Sequence, residues 1–175
     1  MSQRDSGFER KERDLYETPS WVTDCVIDYI DVNRHVWEPA AGSGKMVRRL
    51  IANGMNVFGS DIDTGNDFLQ YRTMPDSQIT AIVTNPPYEL AREFIEHAMQ
   101  LLGQKGTIAM LLRTDFDHAK TRQHLFGNCS HFWAKIVLTK RIKWFEDSKG
   151  QPSFNHAWFI WQLGNSENPT LWYAP

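Results

Sequence analysis

The sequence predicts an α/β protein built on one open, mostly parallel sheet, with an antiparallel strand pair added at its C-terminal edge. Three observations carry this. Short β-rich runs alternate with segments of helical period, and a glycine-rich turn joins the first run to a helix. One run, Gly106 to Leu112, is apolar throughout, as befits a strand buried on both faces.

In order along the chain, residues 1–14 are polar with alternating charge and are expected to form a flexible arm, leaving 15–175 as a single domain. Thr18-Pro19-Ser20 opens the first helix, with Thr18 suited to the N-cap and Pro19 to the first helical position. Trp21, Val22, Cys25, Val26, Tyr29 and Ile30 recur on one face. His35 to Glu38 is a strand, Met46 to Asn53 a helix ended by Gly54, and Asn56 to Asp61 a second strand. Ile79 to Val83 is a third. A helix from Glu89 to Leu102 turns Leu90, Phe94, Ala98 and Leu101 or Leu102 inward. After the Gly106 strand and a short helical stretch at 117–127 come Ala134 to Thr139 and Ala157 to Gln162, joined through a turn with Gly150 and Pro152.

Charge is uneven although the net is only −2: residues 113–149 hold eight Lys/Arg against four Asp/Glu. A basic C-terminal half suits a phosphate-facing side, or simply a solvated surface. No run approaches the ~18 apolar residues of a membrane span. The N-terminus lacks a signal peptide's apolar core, and Cys25 and Cys129 are far apart, so reduced thiols in a cytoplasmic protein are expected. The six histidines show no metal-ligand spacing, and no metal is expected.

In Trp37-Glu38-Pro39-Ala40-Ala41-Gly42-Ser43-Gly44-Lys45, the glycines between strand and helix allow close approach of backbone to a ligand. The spacing is neither that of a P-loop nor of a full dinucleotide fingerprint. Alone it is equally a tight turn. Carboxylates at successive strand ends, Glu38 and Asp61, change the balance. Asp61 is placed to accept ribose hydroxyls, Ile62 to pack on an adenine face, and Asp67 and Phe68 to bracket the purine's amino edge. Together they outline an adenosine site.

Thr84-Asn85-Pro86-Pro87-Tyr88 follows the third strand. Two prolines end a strand and hold what surrounds them in a fixed loop. This loop, with Glu38 to Gly44 and Asp61, resembles the class I S-adenosylmethionine-dependent methyltransferases, and more narrowly those that methylate amino groups of nucleic acids. Tyr16-Glu17-Thr18-Pro19 is similar to the segment that precedes their glycine-rich turn. Arg141-Ile142-Lys143-Trp144-Phe145 and His156-Ala157-Trp158-Phe159 are similar to small phage-type adenine enzymes. The likeness covers Tyr16 to Gln162.

The resemblance implies a Rossmann-like, seven-stranded fold with helices on both faces. It further implies S-adenosylmethionine, released as S-adenosylhomocysteine, bound by Tyr16, Thr18, Pro19, Glu38, Pro39, Ala40, Gly42, Gly44, Asp61, Ile62, Asp67, Phe68 and Asn85. DNA is the implied partner, with methylation at the adenine amino group. Asn85 Oδ1 and the Pro86 carbonyl would accept the two amine hydrogens, Pro87 would hold them still, and Tyr88 would stack on a flipped base. Arg113 is placed to reach a phosphate, and Arg141 and Trp144 to meet the nucleic acid.

An RNA adenine methyltransferase would use the same residues. A glutamine-amide methyltransferase also uses this loop, but behind an N-terminal helical domain, and only fifteen residues precede Tyr16. Amino-methylation of cytosine more often has Ser or Asp at Asn85. Carbon-5 methylation needs a cysteine after proline, whereas Asp24 precedes Cys25 and Asn128 precedes Cys129. A non-catalytic nucleic-acid-binding protein on this fold is the remaining alternative. The length is expected to leave no room for a separate target-recognition domain, so specificity would come from loops such as Thr114 to Asn128 and Asp147 to Asn155, from dimerisation, or be relaxed.

Overall fold

The computed structural model describes residues 16–31, 35–144, 154–165 and 167–174. The expected arm over 1–14, the predicted turn with Gly150 and Pro152, and Phe145 lie outside the described residues.

Seven strands form one sheet in the order β2-β1-β3-β4-β6-β5-β7: β1 His35–Glu38, β2 Asn56–Gly59, β3 Ile79–Thr84, β4 Gly106–Arg113, β5 Phe132–Leu138, β6 His156–Leu163 and β7 Thr170–Ala174. β1 pairs in parallel with β2 and β3, β3 with β4, and β5 with β7. β6 runs antiparallel between β4 and β5. Helices α1 (Ser20–Ile27) and α2 (Lys45–Ala52) cover one face, and α3 (Ala91–Leu102) the other.

The sheet separates two cores, and the two-residue strand period distributes side chains between them. In β4, Ala109 and Leu111 join Val22, Val26 and Leu50 on one side, while Ile108, Met110 and Leu112 join Phe94 and Ile95 on the other. Three tryptophans are fully shielded with satisfied N–H groups: Trp37 donates to Ser60 Oγ at 2.8 Å, Trp158 to the Val22 carbonyl at 2.8 Å and Trp161 to the Leu125 carbonyl at 2.7 Å. Trp158, Phe159 and Trp161 of β6 are core, whereas Trp172 on the edge strand is exposed. Cys25 and Cys129 are free and half-buried.

Four local expectations are corrected. Pro19, extended at φ −60° and ψ 148°, is the N-cap of α1, and its carbonyl accepts from Val22 and Thr23, so Thr18 sits one position too early to cap. Leu90 is 42% exposed, because Tyr88–Leu90 form a 3₁₀ turn that breaks the period ahead of α3. The stretch near 117–127 winds as 3₁₀ turns, Phe116–His118 and Lys120–Leu125, instead of α-helix. Finally, the C-terminal strand pair is antiparallel as expected but does not end the sheet: β7, which has no periodic signature, lies outside β5.

Candidate active site

The C-terminal tips of β1, β2, β3 and β4 lie along one edge of the sheet, and β6 begins there, since His156 is the register partner of Arg113. The glycine-rich turn and the Asn85 loop leave from neighbouring strands, β1 and β3. They therefore lie side by side at the same edge of the sheet.

The turn is clamped from both sides. Glu38 Oε1 accepts from the Ala40 amide at 3.0 Å, and Asp61 Oδ2 from the Gly42 amide at 2.7 Å. Ala41 N donates to the Ser60 carbonyl and Ser60 N to the Glu38 carbonyl, each at 2.9 Å. Gly42 and Gly44 have φ of 52° and 84°, left-handed conformations that side chains disfavour, and Gly44 then caps α2. Asp61 Oδ1 also accepts from Asp63 N at 2.9 Å. The sequence reading missed this bracing role for both carboxylates. Each Asp61 oxygen still keeps a lone pair for a further donor.

Beside Asp61, Ile62 stands 66% exposed, available to a flat apolar ring. Asp67 accepts from Leu69 N at 3.0 Å. Phe68 is only 1% exposed and packs on Trp37, Phe94 and His97, so its ring belongs to the core and has no free face for a purine. Thr18, Glu38 and Pro39 are buried, while Tyr16, Pro19 and Ala40 are half-buried.

Glu38 is 1% exposed, and its Oε2 has no hydrogen-bond partner. Burial pushes its carboxyl up to about 8; the Thr84 hydroxyl and Ala40 amide temper the shift and Asp61 adds to it, although Thr84 Oγ1 closes no well-formed hydrogen bond. The neutral acid is favoured in the folded state, so its stabilising effect is complete below the ordinary value of 4.5 and is lost as pH rises through about 8. Glu38→Gln should consequently gain stability over the unsubstituted protein as pH is raised from about 5 to about 9, by on the order of a few kcal/mol. Denaturant titrations at several pH values check this, and a pH-independent difference would refute it.

At the tip of β3, Asn85 Nδ2 donates to the Tyr16 carbonyl at 3.1 Å, which leaves Oδ1 buried and without a partner. Pro86 is buried and Pro87 exposed. Tyr88 stacks on His156 with centroids 6.0 Å apart and planes at 29°. Its hydroxyl is buried without a partner, and desolvation raises its pKa well above the usual phenol range. His156, 2% exposed, is pulled down to about 4 by burial and then by the nearby Arg113 charge, so it is neutral at pH 7.

Among the described residues ten buried side-chain polar atoms lack partners, and five of them (on Glu38, Thr84, Asn85, Tyr88 and His156) gather at this edge of the sheet. Such groups cost roughly 1–3 kcal/mol each when left unpaired, so their concentration marks a place built for a polar ligand.

Arg113 is forked onto Asp115 at 2.7 and 3.1 Å and lies 4.1 Å over Phe154. Arg141 Nε donates to Asn155 Oδ1 at 2.9 Å. Trp144 packs edge-on against both Tyr16 and His156, each at 5.3 Å. The 114–128 loop is anchored by the buried Leu125 and Phe126, and most of the 147–155 loop lies outside the described residues. His124 pairs with Glu96 at 2.8 Å, away from this edge. Among the described residues no group of three or more His, Cys, Asp or Glu could hold a metal ion, and no helix is long and apolar enough to cross a membrane.

No family model and no curated protein matches the sequence. Solved structures do. A Listeria monocytogenes protein assigned to the class I S-adenosylmethionine-dependent methyltransferases is similar at 13% identity with a TM-score of 0.64, over 94% of this chain and 67% of that one. The type IIG restriction endonuclease BpuSI is similar at 16% identity and a TM-score of 0.58, over 85% of this chain and 24% of its own. A modification subunit assigned to a type I restriction enzyme of Vibrio vulnificus is similar at 16% identity and a TM-score of 0.57, over 97% of this chain. The chain spans 47% of that subunit. At these identities the likeness is one of architecture: the sheet and its helices form a Rossmann-like methyltransferase fold.

Proposed function

We propose that this chain transfers a methyl group from S-adenosylmethionine to the exocyclic amino group of adenine in DNA. The observation that carries the proposal is the Asn85 amide, whose nitrogen is held by Tyr16 while its oxygen is buried and unpaired. It lies one strand away from a braced glycine turn with an unpaired carboxyl oxygen on Glu38. The restriction-modification proteins among the structural neighbours support DNA as the partner.

The residues present fit the cofactor. Glu38 Oε2 is unused and, once the carboxyl gives up its proton, would accept a cationic amino group, Asp61 keeps acceptor capacity for ribose hydroxyls, and Ile62 offers an open apolar surface. The left-handed turn at Gly42 and Gly44 lets the backbone come close, with Pro39 and Ala40 leading into it. Tyr16, Thr18 and Pro19 close the neighbouring side. When bound, the cofactor supplies a sulfonium methyl as electrophile.

The adenine amine is a poor nucleophile because its lone pair is delocalised into the ring. Asn85 Oδ1 and the Pro86 carbonyl each accept one N–H, which draws the nitrogen toward tetrahedral geometry and frees its lone pair for the methyl carbon. With the cofactor bound, the methyl would pass to the amine nitrogen as the sulfonium leaves as a neutral thioether, and one amine proton would go to solvent. Pro86 and Pro87 keep the acceptors fixed. Arg141 would face the phosphate backbone in this reading.

Transfer of labelled methyl to duplex DNA, single-stranded DNA, RNA and bulk protein, followed by nucleoside analysis, tests the proposal. Label in N6-methyladenine of DNA is expected, and label appearing only in RNA or only in protein would overturn it. Asp61→Ala should weaken cofactor binding by roughly 1.5–3 kcal/mol, the scale of hydrogen bonds to a charged group. Unchanged affinity in a calorimetric titration would remove Asp61 from the site.

A further inference from the structure

A primary amide presents an acceptor at one end and two donors at the other, and the two ends have nearly the same shape. If the Asn85 amide turned over, it would aim hydrogens at an amine that needs acceptors. Among the described residues the contact that tells the ends apart is the 3.1 Å bond from Nδ2 to the Tyr16 carbonyl. That carbonyl belongs to a segment without regular structure, ahead of α1. It lies outside any helix or strand ladder, and the Tyr16 side chain packs beside the site.

The Tyr16 ring meets Trp144 edge-on, with centroids 5.3 Å apart and planes at 63°. Trp144 in turn sits edge-on against His156 at 5.3 Å and 84°, and His156 stacks on Tyr88, three residues after Asn85. The contacts close a circuit from Asn85 through Tyr16, Trp144, His156 and Tyr88 and back along the chain. His156 is 2% exposed and fixed in register opposite Arg113 at the start of β6, so the circuit is tied to the central sheet on its far side.

We infer that Trp144 is a positioning residue: by packing on Tyr16 it fixes the carbonyl that orients the Asn85 amide, and so keeps Oδ1 turned toward the amine. This role rests on the methyl-transfer reading above. It differs from the base-stacking role that the sequence suggests for Trp144, because a stacking ring acts on substrate affinity and an amide orienter acts on turnover.

The test is a double-mutant cycle read by kinetics and by the amide itself. Steady-state methyl transfer from S-adenosylmethionine to single-stranded and duplex DNA is measured for Trp144→Ala and Trp144→Phe, each in the unsubstituted and Asn85→Ala backgrounds. The Asn85 side-chain NH₂ signal, assigned by its loss in Asn85→Ala, is followed by ¹⁵N-edited exchange with water. Trp144→Ala should lower kcat roughly tenfold or more with KM and cofactor affinity unchanged, the scale of a misplaced reacting group. Trp144→Phe, which keeps a ring against Tyr16, should recover most of it. In the Asn85→Ala background Trp144→Ala should cost nothing further. Exchange of the Asn85 NH₂ should accelerate in Trp144→Ala. A loss confined to KM, an equal loss in both backgrounds, or unchanged amide exchange would each overturn the inference. Absence of transfer by the unsubstituted protein would instead sink the methyl-transfer reading, and amide exchange alone would then decide whether Trp144 orients Asn85.

Discussion

Asn85→Ala should lower the methyl-transfer rate by about 10²-fold or more while leaving cofactor affinity nearly intact, the size of effect seen when a single oriented electrostatic group is removed from an enzyme site. The reason lies in how the amide is held. Its nitrogen is committed to Tyr16, and its oxygen is buried with no partner, so the oxygen contributes little to the resting protein and is available when the amine arrives. Truncation removes that acceptor without opening a large core cavity, because Asn85 is only half-buried. Single-turnover rates with saturating cofactor, alongside calorimetric cofactor titration, separate the two quantities. A rate within about threefold of the unsubstituted protein would exclude Asn85 from the chemistry, since such a factor is well under the ~1.4 kcal/mol that corresponds to tenfold.

Trp158→Ala should destabilise the fold by roughly 3–5 kcal/mol, a large share of the ~5–15 kcal/mol available to a domain. Trp158 is fully shielded on β6, a strand with neighbours on both sides, and its indole N–H donates to the Val22 carbonyl of α1 at 2.8 Å. The substitution both empties a volume in the core shared with α1 and leaves that carbonyl without its donor. Trp172→Ala on the edge strand is the matched control: its side chain is 44% exposed, so the loss should stay below about 1.5 kcal/mol. Denaturant midpoints at constant slope distinguish the two. Comparable losses would mean that β6 does not organise the core.

Much of this fold was legible because burial leaves a period. β4 is mostly apolar and buried on both faces up to Leu112, and the interior face of α1 follows from Val22 and Val26, with Ile30 just beyond its end. The place of β6 was not legible, since local pattern says a run is a strand but not which strand it joins. β7 was missed for another reason. Leu171, Trp172 and Tyr173 are exposed at the sheet's edge, so no alternation of burial was imposed on them.

At the site, Asn85 and the two glycines stood out because proline and glycine restrict backbone conformation in ways that spacing reveals. The core place of Phe68 did not, because an aromatic residue after a carboxylate looks the same whether its ring lines a pocket or fills a core. Nor did the bracing by Glu38 and Asp61, whose partners are the Ala40 and Gly42 amides, groups that carry no residue identity. The Tyr16 carbonyl escaped notice on the same ground.

The insertion of β6 between β4 and β5 has a consequence in time. A ribosome delivers β4 and β5 well before β6, yet neither can pair with its final neighbour on that side until residues 156–163 emerge. The bond joining Trp158 to Val22 spans 136 positions, so α1 too waits for the late strand to lock it down. Nascent chains should therefore carry an unfilled ladder edge on β4 from residue 113 until β6 begins at residue 156, and close this part of the sheet cooperatively only when β6 arrives.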